Sequence, residues 1–322
     1  MMLDEENILD ELESKYQMIH SRLEAKRYKG IIYHYTDYEG LKGILKDRKM
    51  RYTDYRDLND ITELKFGQNV ILDCIKNKSI PDKERLTKDI NYVFFVSNTM
   101  CNTYISCYSS TVNKLALWRY YADDGCGFSI GFSSDYHSAV ENSTVEIDTL
   151  GKVTVSEVLY GEKSVSVISE LIEIYIEILN KNPSLQTNKT FLMDFRKKLL
   201  SHLLSFLPSL KDESYEDEDE IRLYCQDGGL FLIPSTMQPF YFSNDKKMNI
   251  PNEDRRDRRF VHSLSYKRIL YPEEQFDHAA ICEIWVGPCC DFGEAKKALN
   301  ILLREHGYTN VEIRQTELPY RR

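Results

Sequence analysis

The sequence predicts an α+β protein whose core is a twisted, mostly antiparallel sheet interrupted by a helical insertion. Three observations carry this expectation. Short runs of β-branched and aromatic residues recur from Gly30 to Leu159 and again from Leu230 to Arg314. Between them, residues 164–207 switch to helical spacing. No internal repeat is visible, so a solenoid or propeller is not expected.

In chain order, Leu3, Ile8, Leu9, Leu12, Tyr16, Ile19 and Leu23 fall at helical spacing and predict an amphipathic lead-in helix within residues 1–29. Gly30 to Tyr35 suits a strand. Thr36 with Glu39 three places on reads as a capping box, so a helix is expected after Thr36 with Leu41, Ile44 and Leu45 buried. Met50 to Thr53 predicts a second strand. Asp60 with Glu63 predicts a helix running to about Ile75. Val93 to Val96 and Tyr104 to Ser109 both read as extended. Leu115 to Tyr121 reads as a helical turn, Gly127 to Phe132 as a half-buried alternating strand, and Val153 to Leu159 as another strand. Two helices are expected from Val165 to Leu179 and from Phe191 to Leu207, split by Asn182-Pro183. The acidic run from Lys211 to Glu220 reads as a solvated loop. The sheet is expected to resume at Leu230 to Ile233, Phe240 to Phe242 and Ala280 to Gly287, with a helix from Ala295 to Glu305 and a last strand from Val311 to Arg314. The organisation that follows is one core formed by 30–163 and 223–322, with 164–222 inserted. A length of 322 residues fits one large domain with an insertion.

Lys and Arg total 42 against 51 Asp and Glu, a net charge of −9, which excludes a globally basic nucleic-acid coat but leaves room for a local basic groove. No apolar run approaches the roughly 18 residues that span a bilayer. The acidic start lacks the basic region of a secretory signal, and the eight cysteines are scattered without a CxxC pair. A reduced, cytoplasmic protein without a metal site is the expectation, with Cys289-Cys290 at a turn rather than in a disulfide.

Four constellations carry candidate chemistry. Tyr33-His34-Tyr35-Thr36 places a histidine at a strand end before a helix N-terminus, where free N–H groups suit a phosphate and imidazole suits a ribose hydroxyl; the alternative is a histidine packed in the sheet. Arg51-Tyr52-Thr53-Asp54 with Asn59 and Asp60 can orient a polar ligand, although helix capping explains Asp60 and Glu63 equally. Ser106-Cys107-Tyr108-Ser109 followed by Trp118 and Tyr121 offers a stacking wall for a nicotinamide or adenine ring, or else an aromatic core. Nothing in sequence beside Cys107 would lower its pKa, so it is not read as a nucleophile. Last, Glu253-Asp254-Arg255-Arg256-Asp257-Arg258-Arg259 reads as a solvated edge strand, as a carboxylate facing a cationic transition state, or as a phosphate-binding patch formed by Arg255, Arg256 and Arg259 with Arg258.

Taken in order, these segments resemble the bacterial domain-of-unknown-function family DUF2971. The resemblance rests on Tyr33-His34-Tyr35, Leu58-Asn59-Asp60 with Glu63, Ser106-Cys107-Tyr108-Ser109, Trp118-xx-Tyr121-Ala122, Gly127-Phe128-Ser129-Ile130-Gly131-Phe132, Ile284-Trp285-Val286-Gly287-Pro288 and Leu318-Pro319-Tyr320-Arg321. One departure stands out. Where the family usually carries Glu-x-Glu-aromatic-Arg, this chain has Arg255-Arg256-Asp257-Arg258-Arg259, leaving Asp257 or Glu253 as the late carboxylate.

The opening Tyr-His-Tyr-Thr also looks like the first motif of ADP-ribosyltransferases. That resemblance implies an ADP-ribosyltransferase-like fold and an NAD substrate. His34 would hold a ribose, with Tyr35 and Thr36 beside it, and Tyr52 or Tyr108 would stack on nicotinamide near Ser106, Trp118 and Tyr121. Asp257 or Glu253 would then face the anomeric carbon. The implied activity is transfer of ADP-ribose to nucleic acid or protein, or NAD hydrolysis, in a bacterial toxin or anti-phage effector. The alternatives are a non-catalytic nucleotide-binding or phage-sensing module, favoured by Arg255 in place of the family glutamate, and a nucleic-acid-processing enzyme using the arginines.

Overall fold

A computed structural model describes residues 2–58, 64–100, 103–136, 153–226, 259–263 and 280–320. Helix α1 (Met2–Lys26) leads into strand β1 (Ile32–Thr36), helix α2 (Tyr38–Asp47) and strand β2 (Lys49–Asp54). Helices α3 (Lys65–Asn77) and α4 (Lys83–Met100) precede β3 (Thr103–Ser109), α5 (Leu115–Tyr121) and β4 (Phe128–Phe132). Then come β5 (Thr154–Glu157), β6 (Leu159–Tyr160), α6 (Gly161–Lys181) and α7 (Lys189–Phe206). Strands β7 (Leu210–Lys211), β8 (Glu220–Gln226), β9 (Arg259–Ser263) and β10 (Ile281–Val286) are followed by helix α8 (Phe292–Glu305) and β11 (Glu312–Gln315).

The sheet is nine-stranded, with the path β11-β10-β4-β1-β3-β2-β9 and a branch in which β8 pairs both β3 and β5. Every pairing in it is antiparallel except β10 with β11. The expected mixed architecture with an open, mostly antiparallel sheet is therefore present. Two large apolar clusters divide the interior. One joins α1, α3, α4, α6 and α7 through residues such as Leu12, Ile71, Ile90, Ile168 and Leu199. The other covers the sheet with Leu41 and Leu45 of α2 and Leu299 and Leu303 of α8. No described helix is long and apolar enough to cross a membrane.

Several local expectations differ from the structure. Val93 to Val96 is helical, not extended, because Leu86, Ile90, Val93 and Phe94 recur on one buried face of α4 and helical burial overrides the β-branched composition. Thr36 ends β1 and the cap is Asp37, whose side chain accepts from the Gly40 N–H at 2.7 Å. The helix expected from Asp60 begins at Lys65, and residues 59–63 lie outside the described residues. Strand β4 is buried on both faces rather than one: Phe128, Ile130 and Phe132 join the cluster under α2 and α8, and on the other face Ser129 lies between Tyr35 and Trp285 of a small cluster around Trp118. The strands expected at 230–233 and 240–242 also lie outside the described residues.

Candidate functional site

The sheet splits beside its middle strand. Strand β3 meets β1 through the single pair Tyr33–Ser109 and meets β2 through Thr53–Ile105 and Asp54–Tyr104. The edge of β3 around Cys107 faces the gap between them. There the His34 ring takes over a backbone role: Nδ1 donates to the Cys107 carbonyl at 2.9 Å. A carbonyl only accepts, so Nδ1 carries the proton and Nε2 is left with its lone pair. Burial pushes the His34 pKa down, which keeps the ring neutral. A neutral imidazole of fixed tautomer is a hydrogen-bond acceptor or a base.

A cavity of about 180 Å³ opens beside this ring. Its floor is Tyr33, His34 and Tyr35 of β1 with Cys107, Tyr108 and Ser109 of β3; Leu58, Leu117 and Tyr121 close one side. The opposite wall is charged: Lys211, Tyr215, Glu218, Glu220 and Arg222. Antiparallel register explains the wall. Cys107 pairs with Arg222 and Ser109 with Glu220, so these four side chains share one face while Ile221, Leu223 and Cys225 point into the sheet core.

The wall is a closed network. Arg222 is fully buried; its Nε and Nη2 donate to the two oxygens of Glu220 at 2.8 and 2.9 Å, and its Nη1 donates to the Pro208 carbonyl at 2.8 Å. Lys211 donates to Glu220 at 2.8 Å and to Glu218 at 2.6 Å, and its ammonium lies 4.7 Å from the centre of the Tyr215 ring. Tyr121 donates to the other Glu218 oxygen at 2.7 Å. Burial opposes ionisation of Glu220, but Arg222 and Lys211 outweigh it and hold the carboxyl at about 2. Burial raises the phenols of Tyr33, Tyr35 and Tyr121, with Glu283 adding to the shift at Tyr33 and Glu218 at Tyr121, so all three remain protonated donors. Burial and the neighbouring Glu220 push the Cys107 thiol well above its usual range, in keeping with its not being a nucleophile.

A buried carboxylate props the floor from behind. Glu283 accepts from Tyr33 Oη at 2.8 Å and Trp285 Nε1 at 2.7 Å, and pairs with Arg314 at 3.3 Å. A second, open groove of about 480 Å³ shares Tyr35 and Tyr121 with the cavity and adds Thr36, Asp37, Tyr120 and Asp123.

His34, Tyr35 and Tyr121 thus line one space, and Thr36 lies in the adjoining groove. Tyr108 borders the cavity, but it pairs with Ile221, is 3% exposed and packs edge-on against Phe132 in the sheet core, on the face away from the charged wall. Trp118, Tyr52 and Ser106 do not reach either space. Trp118 is fully buried, donates from Nε1 to the Val112 carbonyl at 2.8 Å and packs edge-on against Tyr35 at 5.1 Å, so it supports the floor instead of stacking on a ligand. Tyr52 and Ser106 are buried in the sheet. Glu253, Arg255, Arg256 and Asp257 lie outside the described residues, and Arg259 is described only as the first residue of β9. The acidic run is not a solvated loop throughout, because Glu218 and Glu220 turn inward with side chains 15% and 5% exposed. Lys211, Tyr215, Glu218, Glu220 and Arg222 were not among the expected site residues. A signal for them existed: the alternation Glu220-Ile221-Arg222-Leu223-Tyr224-Cys225 is a strand with one polar face.

The family model described as a protein of unknown function (DUF2971) matches this chain. The match covers residues 117–223. The matched segment runs from α5 into β8 and contains Leu117, Tyr121 and the whole charged wall, while Tyr33, His34 and Tyr35 lie outside it. No curated protein and no solved structure matches the chain.

Proposed function

We propose that the cavity is the reaction centre of an NAD-consuming enzyme of ADP-ribosyltransferase or NAD-glycohydrolase type, acting on the bond between nicotinamide and ribose. The observation that carries this reading is the convergence of a neutral, oriented imidazole, a set of tyrosines and the carboxyl groups of Glu218 and Glu220 on one half-open cavity. A volume of about 180 Å³ accommodates a ring and its sugar edge, below the roughly 300–1,000 Å³ of pockets that enclose a drug-sized ligand. The rest of a dinucleotide would run past Tyr35 and Tyr121 into the open groove.

Each group has a place in that chemistry. Tyrosine faces hold the departing ring. His34 Nε2 accepts from a ribose hydroxyl. As the C–N bond breaks, its electron pair leaves with nicotinamide and positive charge develops on the anomeric carbon; the Glu218 carboxylate, fixed by Tyr121 and Lys211, favours that charge without having to reorganise. Water or an acceptor then attacks the same carbon. Glu218 takes the role that the resemblance assigned to Asp257 or Glu253.

One observation favours a second reading, a nucleotide-binding module without turnover. Both oxygens of Glu218 and both of Glu220 already accept hydrogen bonds within the wall. Calorimetry with NAD and with ADP-ribose, paired with chromatography of the mixture, separates the two. Binding with nicotinamide release is expected. Binding with intact NAD supports the module, and no binding of either ligand overturns both readings.

A further inference from the structure

The cations that line the cavity, among the described residues, are Lys211 and Arg222, and both are engaged by the wall. Arg222 commits Nε and Nη2 to Glu220 and Nη1 to the Pro208 carbonyl. Lys211 is held by Glu218 and Glu220. Drawing either cation towards a phosphate would leave a buried carboxylate short of its partner, which is strongly unfavourable. On α5, beside the groove, Arg119 pairs with Asp124 at 3.4 Å. Lys114, at the start of that helix, pairs with Asp217 at 3.4 Å and with Asp219 at 3.5 Å.

The groove itself is acidic, since Asp37 and Asp123 border it with Thr36, Tyr120 and Tyr121. Glu39 adds a further acidic side chain in the first turn of α2. A helix N-terminus ordinarily draws an anion, and α2 begins at this groove. Its first turn is already occupied by the protein's own groups. Asp37 accepts from the Gly40 N–H at 2.7 Å, and Thr36 Oγ1 lies so close over Gly40 that a Cβ there would clash with it. The phosphate seat expected from Tyr33-His34-Tyr35-Thr36 is therefore filled by a carboxylate. The aromatic side of the site, by contrast, tolerates positive charge, for the Tyr215 ring already lies 4.7 Å from the Lys211 ammonium.

We propose that the site selects positively charged N-ribosyl heteroaromatic compounds without phosphate, of which nicotinamide riboside is the simplest, over NAD itself. This rests on the reading that the cavity cleaves the nicotinamide–ribose bond, and it says which half of the dinucleotide is recognised. The pyridinium ring and the ribose enter the cavity. The diphosphate of NAD, running into the open groove, meets Asp37 and Asp123 and gains no pairing from Lys211 or Arg222. In the riboside the C–N bond breaks with its electron pair passing to the ring nitrogen, which neutralises the ring. A water oxygen bonds to the anomeric carbon and gives up a proton to solvent, so the products are ribose, neutral nicotinamide and a proton. Positive charge moves from ring to sugar without leaving the site, so acidic surroundings favour the riboside before and during cleavage, while they repel a diphosphate throughout.

The test follows nicotinamide release by chromatography from nicotinamide riboside and from NAD, with the full chain. Salt is set at about 0.01 M and about 1 M, across which the Debye length shrinks from about 30 Å to about 3 Å. At low salt kcat/KM is expected to be roughly tenfold or more higher for the riboside. Added salt should lower it for the riboside and raise it for NAD. The double variant Asp37→Asn with Asp123→Asn narrows the gap, with kcat/KM for NAD rising roughly threefold. Asparagine keeps a side-chain acceptor for the Gly40 N–H and suits the left-handed backbone of residue 123, at φ 46°, so both local structures are retained. NAD cleaved as well as the riboside, or a gap unchanged in the double variant, overturns this inference and leaves the proposed reaction standing. Release from neither substrate overturns both.

Discussion

Two buried ionic networks in this molecule use the same side-chain types to different ends. In the helical half, Arg196 of α7 pairs with Asp89 of α4 at 2.8 Å and with Asp82 at 2.9 Å, surrounded by apolar helix faces. In the sheet half, Arg222 and Lys211 pair with Glu220 and Glu218 at similar distances, but one side of that network faces a cavity. Both must offset the desolvation of their charges through close pairing. The first ties α4 to α7, reaches the surface at Asp82 and borders neither of the two spaces described above. The second keeps charge, fixed in place, next to room for a ligand. What separates scaffold from site here is the empty volume beside the ions, not the ions themselves.

The largest expected effect breaks this comparison at its common point. Arg196→Met leaves Asp89 with Arg85 as its remaining cation and Arg222→Met leaves Glu220 with Lys211, and each is expected to cost about 3–5 kcal/mol in denaturant-induced unfolding. Equal losses are predicted. A much smaller loss for Arg222→Met would mean that solvent entering the cavity compensates Glu220, and that this wall is less enclosed than its burial indicates. Next in size, His34→Ala removes the ring that occupies the Cys107 carbonyl. A modest stability loss of about 1–2 kcal/mol is expected by urea titration, together with at least a tenfold weakening of NAD binding by calorimetry. Loss of stability with unchanged binding would make His34 a packed sheet residue.

The smallest effect lies in the helical half. His20 and His202 contact each other at 3.1 Å, and His202 contacts Glu13 at 3.2 Å. The ring of Phe206 stacks on His20, and Lys198 and Gln17 also bond Glu13. Burial chiefly, and His202 next, lower His20 from 6.5 to about 4, so it stays neutral in the fold while it takes up a proton in the unfolded chain. Stability is therefore expected to be full above pH 6.5 and to fall as pH drops towards 4. Glu13, held at about 2 by Gln17, Lys198 and His202 against its own burial, extends the fall below pH 4.5. Thermal melts from pH 7 to 4 check this, and in His20→Phe the first part of the slope should disappear.

The sequence made the sheet legible wherever short aromatic and β-branched runs stood between turns, as at β1, β3 and β10. It misled at Val93 to Val96, where a β-rich composition sits on a helix whose burial has a period of 3.6. At the site, His34, Tyr35 and Tyr121 stood out as members of local motifs, and all three line the cavity. Glu218 and Glu220 were not, because an acidic run is ordinarily solvated and the cations that draw two of its members inward are Lys211 and Arg222, whose pairing depends on the register of β3 with β8. Trp118 failed as a ring-stacker for the opposite reason: a large aromatic side chain gains more from full burial under Tyr35 than a motif can reveal.

The most direct measurement is nicotinamide release from NAD, followed by chromatography, for the wild-type chain and for Glu218→Gln, which keeps the shape of the wall and removes its charge. The account predicts release by the wild type and at least a hundredfold slower release by Glu218→Gln, with NAD still bound by both. Equal release from the two chains, or none from the wild type with any acceptor supplied, would contradict it.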